Sequence, residues 1–422
     1  MPQLNPTPEE RALLSGSGGP GAALAMRIVS RMAEVTGAER LLPAASAHID
    51  GCLDHGPAGL EFVERLVEGG ARVAVPTTLN VGSLDLLHPG LYRGDRATAA
   101  RARRLMDAYV ELGCRPTWTC APYQLPEARP RLGEHVAWAE SNAIVFANSV
   151  LGARTDRYGD FIDISAAITA RVPDAGLHRD ENRRAETVFR LEGVPSRLLD
   201  RDVIYPVLGH LIGREARSAV AALVGLPGPV SEDRLKALGA AAASSGGLGL
   251  VHVVGVTPEA PTLDAALGGR PPVRELAVTP ARLAAARDEL NTAPDGPVGA
   301  VSVGTPHFSV AEFERLVPLV REHPPHVPFY VSTARAVLSQ VDATGWLAEL
   351  EAAGVRLVVD TCTYVTPILG PVEGPVMTDS AKWAYYAPGN LGVEVVFGSL
   401  EECVVSAARG RVWRDPHLWD GA

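Results

Sequence analysis

The stretch "VGAVSVGTPHFSVAEFERLVPLVREHPPHVPFYVST", residues 298–333, decides the class of fold. Its two ends are short apolar runs that predict buried strands, and its middle has the apolar spacing of an amphipathic helix. The chain then continues with a helical pattern at "WLAELEAAG" (346–354) and another apolar run at "VRLVVDTCTY" (355–364). Strands separated by helices of this length predict βαβ units with mostly parallel sheets. We therefore expect an α/β fold.

The same kind of alternation begins near the N-terminus. Thr7, Pro8 and Glu10 predict a first helix with a capping box, in which Thr7 is the N-cap and Pro8 the first helical residue. The segment "ALAMRIVSRMAEVTG" (23–37) then keeps helical spacing up to a glycine, which predicts the end of a second helix.

The middle of the chain differs in composition. Residues 196–275 are rich in Gly, Ala and Pro, and they read as a separate, smaller α/β domain. We therefore expect three domains, all of them α/β, at residues 1–195, 196–275 and 276–422.

The bulk properties exclude several classes of protein. The chain has 422 residues, 46% hydrophobic and 21% charged, with a formal net charge of −10, which is typical of a multidomain globular protein. The acidic balance argues against nucleic acid and membrane as partners. We see neither a signal peptide nor an apolar run of about 18 residues, and expect a cytoplasmic protein. The five widely spaced cysteines do not suggest a disulfide framework.

Three polar motifs follow predicted strands. "AVPTTLN" (74–80) follows a strand expected to end at Val75, and "VSVGTPHFS" (301–309) follows one expected to end near Val303. "LVVDTCTY" (357–364) places an aspartate and a cysteine at a third strand end. Ligands of parallel sheets collect at the carboxyl ends of the strands, so we expect these motifs to contribute to one functional site.

The segment "HIDGCLDHG" (48–56) concentrates potential metal ligands. His48 and Asp50 match the opening of the two-His-one-carboxylate iron triad, but that triad is typical of all-β jelly rolls. The alternative is that both histidines make ordinary hydrogen bonds and that Cys52 fills apolar space. Cys120 lies in the Pro-rich loop "TWTCAPYQLP" (117–126), where a ligand can be held, whereas Cys114 and Cys403 are expected to be structural.

Two further segments combine polar and apolar residues. In "WAESNAIVFANSVLGARTDRYGD" (138–160), polar side chains interrupt an apolar helical run, so that the helix either faces a polar site or satisfies neighbouring loops. We favour the site. In "VMTDSAKWAYYAPG" (376–389), Lys382 follows polar residues and precedes aromatic ones, which indicates a partly enclosed position that could contact substrate. No dinucleotide, P-loop or nucleophile-elbow motif is present.

Together these motifs resemble the aconitase X family, a divergent branch of the aconitase superfamily, and in particular its large subunit. The resemblance runs through blocks that occur in the family's order: "AHIDG", "VPTTLNVGSLDLL", "TCAPYQ", "GEHVAWAESNAIVFANSVLGARTDRYGD", "GTPHFS", "VVDTC" and "TDSAKWAYYAPG". It implies an aconitase-like fold of three α/β domains and a swivelling domain that closes over the site. Since no segment of this chain resembles the swivel domain, a separate small swivel-domain subunit is expected as a partner.

The resemblance also implies the activity. Family members are dehydratases that hold iron, and they act on cis-3-hydroxy-L-proline in bacteria or on mevalonate 5-phosphate in archaea. "AHIDGC" is similar to the bacterial type, so we expect a hydro-lyase that converts this amino acid to a pyrroline-2-carboxylate. The alternatives are a mevalonate 5-phosphate dehydratase, a non-catalytic iron-binding subunit and an Fe(II) oxygenase.

The resemblance further implies a role for each site residue. Many relatives carry a cysteine where this chain has Ser332, which leaves Cys52, Cys120 and Cys362 as ligands of a [2Fe–2S] iron–sulfur cluster, with mononuclear iron as the alternative. Iron would act as a Lewis acid on the leaving hydroxyl. The implied catalytic residues are Lys382, Ser141 and Asn142. The implied substrate-binding residues are His48, Asp50, Thr77, Thr78, Asn80, Arg154 and His307.

Overall fold

The structure, a computed structural model, describes residues 4–419. These residues form two compact units. The first unit contains the described residues up to Leu84 together with Gly94–Arg184, and the second contains Asp85–Arg93 together with the residues from Ala185 onward.

The first unit contains two small sheets. Strands β2, β3 and β4 form a parallel sheet in the order β3-β2-β4, and β1 pairs with β5 in antiparallel register. The elements are α1 (Pro8–Leu14), α2 (Gly19–Thr36), β1 (Leu41–Pro43), β2 (Ala47–Ile49), α3 (Pro57–Glu68), β3 (Thr77–Leu79), α4 (Arg96–Glu111), β4 (Ala137–Trp138), α5 (Ser141–Ser149), α6 (Ile162–Thr169) and β5 (Arg171–Pro173).

The predicted N-terminal helices are confirmed. Thr7 Oγ1 accepts a hydrogen bond from Glu10 N, and Thr7 N donates one to the Glu10 carboxylate, so the capping box is complete. Helix α2 ends at Gly37, whose φ of 73° lies in the left-handed region that glycine tolerates.

The strand that was expected to end at Val75, within the motif "AVPTTLN", is wrongly placed. The ladder forms at Thr77–Leu79, after the predicted end at Val75. Pro76 lies between the two positions and has no N–H to donate to a ladder, which marks the beginning of the strand rather than its end. Two of the residues expected beyond the strand, Thr77 and Thr78, therefore lie within it, and Asn80 is the first residue after it.

The second unit contains two larger sheets, both parallel throughout. One has four strands in the order β8-β7-β6-β9, and the other has five in the order β12-β11-β10-β13-β14. The elements are β6 (Thr187–Leu191), α7 (Ser196–Leu199), α8 (Ile204–Ala216), β7 (Ala221–Val224), α9 (Glu232–Gly246), β8 (Val251–Val253), α10 (Leu263–Leu267), β9 (Arg274–Val278), α11 (Pro280–Asp288), β10 (Ala300–Phe308), α12 (Val310–Glu322), β11 (Phe329–Thr333), α13 (Arg335–Ala343), α14 (Trp346–Ala352), β12 (Val355–Val358), β13 (Val376–Thr378), α15 (Ala381–Leu391), β14 (Val395–Phe397) and α16 (Leu400–Arg409).

The predicted α/β fold with mostly parallel sheets is therefore confirmed. The four-stranded sheet begins at β6 and ends at β9, so it extends a few residues beyond both limits of the predicted middle domain, 196–275. The division of the chain into three domains with those limits stays a prediction.

The small residues of the middle region have a packing role. Helices α8 and α9 approach so closely that a Cβ added at Gly209 would lie 2.1 Å from the carbonyl oxygen of Leu238. One added at Gly213 would lie 2.5 Å from that of Ala242. The Gly- and Ala-rich composition thus allows two helix backbones to meet with almost no side chain between them.

A large apolar cluster packs around the five-stranded sheet. Valines of β10 and β11 pack with Phe313 and Leu316 of α12 and with Cys403 of α16, all of them buried. Cys403 is therefore a core residue, as expected. Among the helices of residues 4–419, none has both the length and the apolar character needed to cross a bilayer.

Candidate active site

Four polar side chains occupy one face of the first unit at the carboxyl end of its parallel sheet. His48 of β2 is in register with Thr78 of β3, and their side chains are joined by a hydrogen bond of 2.8 Å between Nδ1 and Oγ1. Two residues further along the chain, immediately after the two strands end, Asn80 Nδ2 donates to Asp50 Oδ1. Because side chains two residues apart in a strand share a face, the four form two neighbouring pairs.

Burial controls the chemistry of this face. His48 is fully buried, and burial lowers its pKa to about 3, so its imidazole is neutral near pH 7. The imidazole also contacts Trp138 of β4, with the ring centroids 5.9 Å apart. Asn80 is 2% exposed. This arrangement brings together His48, Asp50, Thr78 and Asn80, four of the residues predicted to bind substrate.

Thr77 lies elsewhere in the first unit. Its hydroxyl donates to Val75 O at 2.8 Å. It borders a cavity together with Ser46 and Arg115. Ser46 immediately precedes β2 and Thr77 begins β3, so this cavity lies near the amino ends of the two strands. Thr77 is next to Thr78 in the strand, so the two side chains point to opposite faces. A substrate role for Thr77 stays a prediction.

The loop after β2 is held by a buried carboxyl group that the sequence reading missed. Asp163 of α6 accepts a hydrogen bond of 2.8 Å from Asp50 N. Burial raises the pKa of Asp163 to about 7, with a further increase from the charge of Asp160. A single Asp in an apolar helix sequence gives no signal for this role, because its partner is 113 residues away.

Cys52 is buried in acidic surroundings. Its Sγ contacts Ile49 O at 3.5 Å. Burial raises its pKa well above the usual value, and Cys114 and Asp163 raise it further. A role of Cys52 as a metal ligand stays a prediction. Within residues 4–419, Cys52 belongs to no group of three or more Cys, His, Asp or Glu ligand atoms lying within 4.8 Å of one another.

Cys120 lies beside the start of α5. It is 2% exposed, and its carbonyl oxygen accepts a hydrogen bond of 2.8 Å from Asn142 Nδ2. Glu140 caps α5 by accepting hydrogen bonds from the backbone N–H groups of Asn142 and Ala143, and its own φ is 51°. Ser141 Oγ donates to Glu140 at 3.2 Å. Of the two predicted catalytic residues of α5, Asn142 is therefore tied to the loop that carries Cys120, and Ser141 is bonded to the helix cap, Glu140.

Other polar residues of segment 138–160 satisfy neighbouring loops, which was the less favoured of the two readings. Asn148 exchanges two hydrogen bonds with the backbone of Thr155, at 2.9 and 3.0 Å. Arg154 forms an ion pair with Asp180 and donates to His178 O at 3.2 Å. Its guanidinium thus already has a carboxylate partner, and a substrate role for Arg154 stays a prediction.

In the second unit, His307 and Cys362 come together at the carboxyl end of the five-stranded sheet. Both are fully buried, and a ring nitrogen of His307 lies within 4.8 Å of Cys362 Sγ. Burial lowers the pKa of His307 to about 4, so its imidazole is neutral near pH 7. Nε2 lies 3.1 Å from Thr361 O and must donate to it, so Nδ1 presents the lone pair. A neutral imidazole oriented by a carbonyl, next to a thiol, is a suitable pair of iron ligands.

The backbone before Cys362 is held in an unusual conformation. Asp360 has a φ of 61°, which is uncommon for a residue other than glycine. Both of its carboxylate oxygens accept hydrogen bonds of 2.6 Å from Arg335, and Leu86 N donates to it at 3.2 Å. Such strain persists where the surrounding contacts hold it in place, and it is frequent at functional sites. The sequence indicated Asp360 but not its partner Arg335.

A buried charge network lies beside the same strand ends. Lys236 of α9 forms ion pairs with Asp233 and Glu312, and its Nζ donates to His307 O at 3.3 Å. Lys382, predicted to be catalytic, is 2% exposed and lines a cavity together with Lys236, Glu312 and Asp379. Burial, with the charge of Glu312, raises the pKa of Asp379 to about 7. The sequence reading found Lys382 but missed Lys236 and Glu312.

Ser332 occupies the position where the resemblance implied a cysteine in many relatives. It lies in β11 and is fully buried. Its Oγ has no hydrogen-bond partner within the described part of the chain. A buried hydroxyl therefore lies unpaired at the position where the resemblance implied a possible thiolate.

Parallel sheets with buried histidine, cysteine and carboxyl groups gathered at their strand ends define an α/β enzyme rather than a structural protein. The chain belongs to the aconitase X family. The family models for the first, second and third aconitase X domains match residues 3–181, 185–288 and 298–409. The aconitase-like fold expected from the sequence is thereby confirmed.

Named relatives of the chain are dehydratases, which are hydro-lyases. It is 46% identical over 407 residues to the cis-3-hydroxy-L-proline dehydratase of Pseudomonas aeruginosa, an alignment that covers 95% of this chain and 70% of that protein. It is 37% identical to the phosphomevalonate dehydratase large subunit of Methanothermobacter thermautotrophicus, over 92% of this chain and 95% of that one. The crystal structure of Thermococcus kodakaraensis aconitase X, in its holo-form, matches with a TM-score of 0.84 at 32% identity, covering 95% of this chain and 99% of that one.

Proposed function

We propose that this chain carries out the iron-dependent dehydration of cis-3-hydroxy-L-proline. The observation that carries the proposal is the 46% identity, over 95% of the chain, to a protein of that name from Pseudomonas aeruginosa. Identity to a phosphomevalonate dehydratase large subunit is lower, at 37%. The strand-end face of the first unit contains Asp50, a neutral His48 and no Lys or Arg among its four residues, so it also suits an amino acid better than a phosphate ester.

The reaction removes one proton and one hydroxide from adjacent carbons. A base takes the proton from Cα, the electron pair forms a Cα–C3 double bond, and the C3 hydroxyl leaves and is protonated to water. The enamine then tautomerises to a pyrroline-2-carboxylate. In this proposal Ser141 and Asn142 orient the substrate from α5, and Lys382 or Arg154 pairs with its carboxylate. A partner subunit is proposed as the source of the base.

The family implies iron, and the chemistry of the buried donors is compatible with it. Iron would supply Lewis-acid stabilisation of the departing hydroxyl. Cys120 and Cys362 are proposed as thiolate ligands, together with the neutral imidazole of His307. Soft sulfur and imidazole donors suit iron, either as a [2Fe–2S] cluster or as a mononuclear ion. Cys52 was also predicted from the sequence to be an iron ligand, and its role is tested by the same measurement of iron and sulfide.

A second, smaller subunit is proposed as a partner. The relatives aligned over almost their whole length are named large subunits, which supports a division of the enzyme into two chains. A cytoplasmic location is also proposed. It is supported by the cysteines of the described chain, all of which are free thiols, as expected in a reducing compartment.

The test is a product assay combined with metal analysis. We expect the protein, purified anaerobically and combined with its small partner, to convert cis-3-hydroxy-L-proline and to leave mevalonate 5-phosphate unchanged. Turnover of the phosphate ester alone would replace the proposal with the alternative activity. Iron binding without turnover of either substrate would indicate a non-catalytic iron-binding subunit.

The ligands are tested by measuring iron and sulfide in single variants. Cys120→Ser and Cys362→Ser should each lose most of the iron, and Cys403→Ser, in the apolar core, is the matched control that should retain it. A Cys52→Ser variant that keeps its iron would remove Cys52 from the set. Full iron content in both the Cys120 and the Cys362 variants would contradict the assignment.

A further inference from the structure

Two buried acceptor atoms on the strand-end face of the first unit lack a donor. His48 Nε2 and Asn80 Oδ1 have no hydrogen-bond partner among residues 4–419, and both side chains are at least 98% buried. A buried polar atom left unpaired destabilises the fold, so each such atom in a native protein calls for an explanation. Both atoms belong to the group formed by His48, Asp50, Thr78 and Asn80.

We assign both atoms as acceptors from the neighbouring hydrogen bonds. Asp50 is a carboxylate and can only accept, so the Asn80 atom that contacts it is the amide nitrogen, and the unpaired atom is the oxygen. Thr78 Oγ1 donates to Ala47 O at 3.4 Å and lies 2.8 Å from His48 Nδ1. Both contacts are satisfied only if Nδ1 carries the proton and donates to the hydroxyl. His48 Nε2 is then unprotonated, and its lone pair has no donor.

The charge of this face matches its hydrogen-bonding character. Asp50 adds a carboxylate next to the two neutral acceptors, and its backbone N–H is held by Asp163, which positions the side chain. The group therefore contains a carboxylate and two unpaired lone pairs, and the only ring N–H of His48 is the one that contacts Thr78. Its complement is a cationic group with two donors.

We propose that this face binds the ring ammonium of the substrate, with His48 Nε2 and Asn80 Oδ1 accepting from its two N–H bonds and Asp50 balancing its charge. The inference rests on the proposed function and assigns one part of that substrate to named atoms. A secondary ammonium has two N–H donors, one for each of the two unpaired acceptor atoms, and one positive charge of opposite sign to the Asp50 carboxylate. Mevalonate 5-phosphate has neither a cation nor an N–H donor, so the same face discriminates against it.

The experiment compares two ring carboxylates that differ at a single position. L-Proline has the ring ammonium but no hydroxyl to eliminate, and tetrahydrofuran-2-carboxylate of the same configuration has an oxygen acceptor in its place. Binding of each is measured by titration calorimetry, with the enzyme in the preparation that turns over cis-3-hydroxy-L-proline. We expect L-proline to bind about 10- to 100-fold more tightly, as for hydrogen bonds to a charged group.

Two variants remove the acceptors separately. Asn80→Leu and His48→Phe should each reduce the preference for L-proline to within about threefold, by weakening L-proline binding alone. Asn148→Leu is the matched control. It also replaces a buried asparagine by leucine, but Asn148 is hydrogen-bonded to the backbone of Thr155. This control should lower thermal stability and leave the preference unchanged. If His48→Phe does not fold, Asn80→Leu decides.

The outcomes separate this inference from the proposed function. An enzyme that turns over cis-3-hydroxy-L-proline but binds both carboxylates equally, or does not bind L-proline, overturns the inference and leaves the function in place. A preference that survives in both variants also overturns it. Absence of turnover in the wild-type enzyme contradicts the proposed function instead.

Discussion

Removal of Arg335 should destabilise the second unit in a pH-dependent manner. Arg335 donates two hydrogen bonds of 2.6 Å to the fully buried carboxylate of Asp360. An Arg335→Met variant keeps much of the apolar stem but leaves that carboxylate without its cation. Loss of one partner from a buried ion pair costs about 3–5 kcal/mol. Because the Arg335 side chain is 39% exposed, solvent screens part of this interaction, and we expect about 2–3 kcal/mol.

The sign of the pH dependence follows from the pKa of Asp360. Burial raises this pKa, and Arg335 opposes the increase, so the variant should have a pKa that is higher still. For a carboxyl group with a raised folded-state pKa, the stabilising contribution is present below the unfolded-state pKa and is lost as pH rises through the folded-state value. The difference between variant and wild type should therefore be small near pH 5 and largest near pH 8.

The assay is differential scanning calorimetry of the full chain at both pH values. The midpoint should fall by about 4 °C or more at pH 8 in Arg335→Met. The double variant with Asp360→Asn should recover much of the loss, because both charges are then gone and asparagine tolerates a positive φ. Arg321→Met removes a solvent-exposed pair with Glu349 and should change the midpoint little. An equal loss at pH 5 and pH 8, or no recovery in the double variant, would refute the reasoning.

Three further changes should have distinct outcomes. Lys236→Met leaves two carboxylates near its buried position without their cation and should lower the urea midpoint by an amount equivalent to about 3 kcal/mol, whereas an unchanged midpoint would contradict the network. Gly209→Ala places a Cβ 2.1 Å from a carbonyl oxygen of α9 and should cost about 3 kcal/mol; Gly59→Ala, in α3 with no atom within 4 Å, is the control that should not destabilise. Ser332→Cys adds a thiol at a buried, unpaired position and should slow iron loss to a chelator, measured by absorbance; an identical rate would argue against a metal site near Ser332.

Much of the candidate site was accessible from the sequence because its residues occur in motifs next to strands. His48, Asp50, Thr78 and Asn80 were identified as site residues from two segments, and the structure places them on one face. The sequence did not predict which of these side chains are hydrogen-bonded to each other. Each pair spans 30 residues of chain, and its register depends on where β3 begins, which was predicted too early.

The residues that the sequence reading missed share one property. Arg335, Asp163 and Lys236 act on partners 25, 113 and 76 residues away. Each looks ordinary in its own segment, since a single charged residue in a helix sequence gives no signal for a distant partner. Their roles arise because the fold buries one member of each pair, namely Asp360, Asp163 and Lys236, and this burial leaves no local trace in the sequence.

The sequence by itself determined the α/β class, the helix caps and the polar strand ends. These depend on interactions within a few residues: the apolar period of a helix or strand, a capping box at Thr7, a glycine at position 37. Only the tertiary structure decided which polar atoms are paired and which are left bare, such as His48 Nε2. That difference depends on desolvation and on hydrogen bonds between segments far apart in the chain, and neither exists until the sheet has formed.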